Sequence, residues 1–157
     1  MTIQSKPIAI GCDHTAVDFK KELIGWMEAN GYAVKDCGSF ASDSSDDYPD
    51  TAALVCGEVS NGSSELAVLI CGTGIGMSMA ANKVPGIRAA VCDNCYCAKY
   101  TRLHNDANVL CLGARTTGVE LAKMILEYFL TTGFEGGRHQ RRVDKINALD
   151  ERGACEG

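Results

Sequence analysis

Short apolar runs alternate with amphipathic helical stretches along this chain, and the two periods separate cleanly. Ile8-Ala9-Ile10-Gly11 reads as a buried strand. The helix after it puts Phe19, Leu23, Trp26 and Met27 on one face, and Asn30-Gly31 stops it. A second strand is predicted over residues 33–36, then a loop rich in Ser and Asp over 38–47. Pro49 suits the first turn of a helix running to about residue 60. Leu66-Ala67-Val68-Leu69-Ile70-Cys71 is the clearest strand, ending in Gly72-Thr73-Gly74-Ile75-Gly76, from which a helix leads to about residue 83. Strands over 87–92 and 108–113 flank a helix over 94–103. Val119, Ala122, Ile125, Leu126 and Phe129 mark another amphipathic helix, and Gly136-Gly137 breaks the chain before an Arg-rich helix over 138–151.

Five strands interleaved with helices, apolar on both faces, predict an α/β fold with a parallel sheet covered on both sides. Ligands in such sheets bind outside the carboxyl ends of the strands. Asp13-His14 after the first strand, Cys71 to Gly76 after the third and Arg115 after the fifth fall there. The 157 residues suit one domain, with no internal repeat or linker.

Composition narrows the function. A net charge of −5 disfavours nucleic-acid binding through a basic surface, while a local Arg cluster can still hold one small anion. No apolar run is long enough to span a membrane, and the first six residues lack the apolar core of a signal peptide; a cytoplasmic protein is expected. Nine cysteines, an odd number scattered through strand-like runs, read as reduced thiols used as small core residues. Cys92, Cys95 and Cys97 invite a zinc reading, but no second Cys/His pair at ligand spacing accompanies them.

The chemistry-bearing clusters are few. Cys71 closes a strand and meets a glycine-rich turn into a helix, where free N–H groups and the helix dipole stabilise an anion. The turn lacks the glycine that a dinucleotide fingerprint needs at Met77, and it has no Gly-Lys-Ser/Thr end. What remains is a nest of N–H groups beside a thiol, suited to a developing oxyanion. His104, one of three histidines, lies in a polar stretch beside Asn105, before the last strand. Arg138 and Arg142, at i and i+4, share a helix face and can hold a phosphate from two sides, with Arg141 turned away.

Together these clusters resemble the ribose-5-phosphate isomerase B family, related to allose-6-phosphate and galactose-6-phosphate isomerases. The segments that carry the resemblance are Gly11-Cys12-Asp13-His14, Asp47-Tyr48-Pro49, Cys71-Gly72-Thr73-Gly74-Ile75-Gly76, Ala81-Asn82-Lys83, Gly86-Ile87-Arg88-Ala89, His104-Asn105-Asp106-Ala107-Asn108 and Gly136-Gly137-Arg138-His139. The resemblance implies a Rossmann-like α/β/α sandwich with strand order 2-1-3-5-4. It implies aldose–ketose isomerisation of a sugar phosphate without metal or cofactor, in a dimer whose sites draw on both subunits. Residues 138–152 are expected at the dimer interface and 153–157 as a loose tail. By resemblance Cys71 is the base between C1 and C2, and His104 opens the furanose ring. The backbone of Gly72, Thr73, Gly74, Ile75 and Gly76, with Asn105, stabilises the enediolate. Asp13 binds sugar hydroxyls and Tyr48 lies among the substrate contacts. His14, Arg115, Arg138 and Arg142 hold the phosphate. One branch of the family has Ser in place of Cys71 and Glu in place of Met79; this chain carries the cysteine form.

Two other function classes match fewer of these residues. A covalent Cys–His hydrolase or redox enzyme needs a histidine aimed at Cys71 or a resolving cysteine, and no C-x-x-C occurs at Cys71. A non-catalytic sugar-phosphate regulator needs neither Cys71 nor His104. A five-carbon or six-carbon substrate, and a dimer or tetramer, stay open at the level of sequence.

Overall fold

Three strands are buried along their whole length: β1 (Ile8–Cys12), β3 (Ala67–Cys71) and β5 (Val109–Gly113). The shorter β2 (Val34–Asp36) and β4 (Ala89–Val91) form the two edges. These elements come from a computed structural model that describes residues 5–43 and 45–152. All pairings are parallel and the strand order is β2-β1-β3-β5-β4, as the family resemblance implies.

The two-residue period sorts the sheet into two cores. Ile8, Ile10, Val68, Ile70, Leu110 and Leu112 pack against α1 (Val17–Ala29), α4 (Cys95–Asn105) and α5 (Val119–Thr131). Ala9, Ala67, Leu69, Cys71, Val109 and Cys111 pack against α2 (Tyr48–Ser60) and α3 (Ile75–Ala81). Cys12, Cys56, Cys92 and Cys111 are buried among them, and all eight described cysteines are free thiols. Among the described residues no helix is long and apolar enough to cross a membrane.

Three expectations shift. The strand predicted over 87–92 shortens to Ala89–Val91: it is an edge with one neighbour, and Val91 remains 40% exposed. On α1, Leu23 and Met27 are buried as predicted, but Phe19 and Trp26 are only partly covered and Lys20 is fully buried. Its ammonium sits 2.5 Å from Asp36 Oδ1 and donates to the Ser39 carbonyl at 2.8 Å, which ties α1 to the end of β2 and the loop beyond it. The helix predicted from residue 138 starts later. Gly136 and Gly137 both have positive φ and lead into a 3₁₀ turn, Gly137–His139, before α6 (Gln140–Arg152).

Helix α6 is held lightly. Val143 is its buried apolar residue among those described, while Ile146 and Leu149 are exposed. Two polar contacts fasten it: Arg88 Nη1 donates to Asn147 Oδ1 at 3.0 Å, and the Gly86 N–H donates to Asp150 Oδ2 at 2.8 Å. The tail expected over 153–157 lies outside the described residues.

Candidate active site

At the carboxyl edge of the sheet the loops after β1, β3 and β5 close around Cys71. The Ala114 N–H donates to the Cys71 carbonyl at 2.9 Å, and the Arg115 N–H donates to the Gly72 carbonyl at 3.0 Å. These bonds lay the Arg115 side chain along Gly72, where a Cβ would meet its Cδ at 3.4 Å. Gly74 takes φ 78 with its α-carbon pressed on the Leu112 backbone, so a side chain there would meet both strain and contacts of 3.0–3.2 Å. That conformation aims the Gly74 N–H at the Cys71 sulfur, 3.1 Å away. Cys71 is only 6% exposed. The sulfur therefore has a backbone donor aimed at it inside the loop. Because α3 has only seven residues, this direct contact matters more than the helix dipole.

The rest of this edge fits a small polar ligand. Tyr48 closes on Gly76, where a Cβ would meet its ring at 2.8 Å and its hydroxyl oxygen at 3.1 Å. Asp13 is buried, with Oδ1 occupied by the Thr15 N–H at 3.0 Å and the Thr15 hydroxyl at 2.6 Å, and its other oxygen accepts no hydrogen bond among the described residues. His14 Nδ1 is buried and has no hydrogen-bond partner among the described residues. Such an atom is costly unless something bonds to it.

His104, Asn105, Arg138 and Arg142 lie elsewhere. Helix α4 returns from the carboxyl end of β4, so its last turn arrives at the amino edge of the sheet. There Arg88, which precedes β4, donates to the Asn105 carbonyl at 3.2 Å and the Asp106 carbonyl at 3.0 Å. Asn108 accepts from the N–H of Ala67, the first residue of β3. Cys71 is four residues farther along β3, about 13 Å at strand rise. Within one chain, therefore, His104 and Cys71 stand at opposite ends of the sheet. Reading ligand chemistry only at the carboxyl edge leaves out His104, Asn105, Arg138 and Arg142.

The amino-edge group has its own order. His104 stacks on His139, ring centroids 4.0 Å apart and planes 11° apart, while Tyr100 meets His104 edge-on at 5.0 Å. Glu135 Oε2 lies 3.6 Å from His104 Nε2 and 3.7 Å from His139 Nε2. Burial, then the charges of His104 and Arg138, hold His139 below its ordinary value against the pull of Glu135. Arg142 Nη1 donates to the Arg138 carbonyl at 3.2 Å, so the two arginines remain one turn apart although only Arg142 is in α6. Glu135 and His139 stand outside the set of site residues expected from sequence. Glu135 is joined to His104 only by a long-range contact, and no local pattern announces it. Cys92, Cys95 and Cys97 do not converge as a ligating cluster: Cys92 is buried, while Cys97 is exposed and is the residue whose N–H the Asn94 cap binds.

The sequence profile of the family described as Ribose/Galactose Isomerase matches residues 8–146. Ribose-5-phosphate isomerase B of Escherichia coli strain K12 is 47% identical over 147 residues, covering 94% of this chain and 98% of that protein. A Clostridium thermocellum ribose-5-phosphate isomerase B structure superposes with a TM-score of 0.91 at 46% identity, covering 93% of this chain and 98% of that one. The Mycoplasma genitalium ribose-5-phosphate isomerase B with bound ribulose-5-phosphate gives 0.90 at 43% identity, covering 94% and 98%.

Proposed function

The chain belongs to the ribose/galactose isomerase family, and from that premise we propose that it interconverts ribose 5-phosphate and ribulose 5-phosphate in the cytoplasm, with Cys71 as the base. The observation that carries this reading is the buried Cys71 sulfur receiving the Gly74 N–H at 3.1 Å, at the same sheet edge as His14 Nδ1, which has no hydrogen-bond partner among the described residues. The C2 proton of an aldose is weakly acidic, so its removal needs a positioned base and a site prepared for the oxyanion. The Cys71 thiolate takes that proton, an enediolate forms under the N–H groups of residues 72–76, and the thiol returns the proton to C1 while the proton of the C2 hydroxyl passes to O1. Asp13 and Tyr48 hold sugar hydroxyls.

The separation of the two groups along β3 supports a site shared between subunits. One subunit supplies Asp13, His14, Tyr48, the Cys71 loop and Arg115; the other supplies His104, Asn105, Arg138 and Arg142. The exposed Ile146 and Leu149 on the lightly held α6 give a homodimer an apolar surface to bury. In that arrangement His104 opens the ring and the arginines close on the phosphate from across the interface. The whole chain, residues 1–157, acts as one isomerase domain.

The reading is tested by assaying ribose 5-phosphate turnover with no added metal and again with a chelator. Proton transfer and oxyanion stabilisation are both supplied here by protein groups, so the chelator should not lower the rate. Turnover lost to chelator and restored by zinc would overturn the mechanism.

Removing Arg138 or Arg142 should act on phosphate anchoring. Losing one charge-assisted hydrogen bond costs about 1.5–3 kcal/mol, which is roughly 10- to 150-fold in kcat/KM. The loss should be large for ribose 5-phosphate and small for unphosphorylated ribose. Equal losses on both sugars would assign these arginines another role.

A further inference from the structure

We infer that His104, Glu135 and His139 form a site for a divalent transition-metal ion, and that filling it switches the enzyme off. Their ligand atoms all lie within 4.8 Å of one another, the only such convergence of metal-ligating side chains among the described residues. Glu135 Oε2 is 3.6 and 3.7 Å from the two Nε2 atoms, too long for a direct hydrogen bond. A tetrahedral ion with bonds of about 2.0–2.1 Å sets its ligands about 3.3–3.4 Å apart. Two edges of that tetrahedron therefore stand within a few tenths of an ångström of the required length. Two imidazoles and one carboxylate, with a fourth position open, suit zinc, cobalt or nickel better than calcium or magnesium.

Two features make this an inhibitory site rather than the home of a resident ion. In the stack the two ring planes are nearly parallel, so their in-plane lone pairs do not converge. Ligation turns one ring about its Cβ–Cγ bond. The His104 side chain, 34% exposed, has room to turn, whereas His139 is held at 9%. Arg138 and Arg142 also oppose a cation at His139, so the ion binds when metal is raised and leaves when it falls. The inhibition rests on the isomerase reading above, because the ion takes the nitrogen of the ring opener. The binding rests on geometry alone.

The test uses the full-length protein with cobalt as a spectroscopic probe and zinc in the assay. Cobalt should give visible ligand-field bands of a tetrahedral nitrogen and oxygen site, without a sulfur-to-metal charge-transfer band. Zinc should inhibit in competition with ribose 5-phosphate. In Glu135→Ala both effects should need about tenfold more metal or beyond, since loss of even an outer-shell partner costs about 10–100-fold in affinity. Inhibition is scored against that variant's own zinc-free rate. Absence of the cobalt bands, a thiolate band, or an unchanged response in Glu135→Ala overturns the inference. A protein that shows the cobalt bands but never turns over ribose 5-phosphate would instead end the isomerase reading and leave the metal site standing.

Discussion

Cys71→Ala is expected to abolish isomerisation and to stop solvent deuterium from entering C2 of the sugar. The sulfur is the group that the Gly74 N–H addresses from 3.1 Å, and alanine leaves that donor with nothing to stabilise and the sugar with no base. Binding of a phosphate ligand should survive, since His14 and the arginines are untouched. Were Cys71 one more core thiol, the same substitution would cost stability typical of a small cavity, about 1 kcal/mol, and spare turnover. Rate and thermal midpoint measured on one sample therefore separate the two roles. Exchange at C2 in Cys71→Ala at the wild-type rate would end the base assignment.

Two inactive variants should make an active enzyme when mixed. Cys71→Ala damages the carboxyl-edge group, and His104→Ala damages the group at the other end of β3. In a mixed dimer one site carries both lesions and the other carries neither. Random reassortment of equal amounts gives half mixed dimers with one sound site in two, about a quarter of wild-type activity. Neither variant alone should recover on the same treatment. A site built within one subunit predicts no recovery from any mixture, so the experiment reads the division of labour directly. His104→Ala should also spare an acyclic substrate analogue relative to cyclic ribose 5-phosphate, because an open chain has no ring to open.

The fold was legible because each buried strand is a short apolar run closed by glycine or a polar turn, as at Cys71-Gly72 and Gly113. Lys20 is not legible: a charged residue between Phe19 and Leu23 reads as solvent face, and distant groups, Asp36, the Ser39 carbonyl and the Phe40 ring, make its burial affordable. For the site, Asp13, Cys71 and Arg115 follow strands, and the sheet rule placed them correctly at its carboxyl edge. His104 precedes a strand, and that order already implies the amino edge. The Glu135 contact with two histidines spans 31 residues to one of them, beyond any local pattern.

The cysteines that fill the core carry an acid–base consequence far from catalysis. Burial lifts Cys12 from 9.0 to about 11, Cys56 and Cys92 to about 12, and Cys111 well above 9.0. Below pH 9 the folded and unfolded chains both keep these protons, and the thiols' contribution to stability is fully present. As pH climbs past 9 the unfolded chain releases protons that the folded chain retains. Each thiol then subtracts about 1.4 kcal/mol per pH unit until its folded value is reached. With several such thiols drawing on the same window, the alkaline limit of this fold is steep and belongs to its packing. At neutral pH the same shift leaves the buried sulfurs almost wholly protonated, so they are poor targets for oxidants and alkylating reagents.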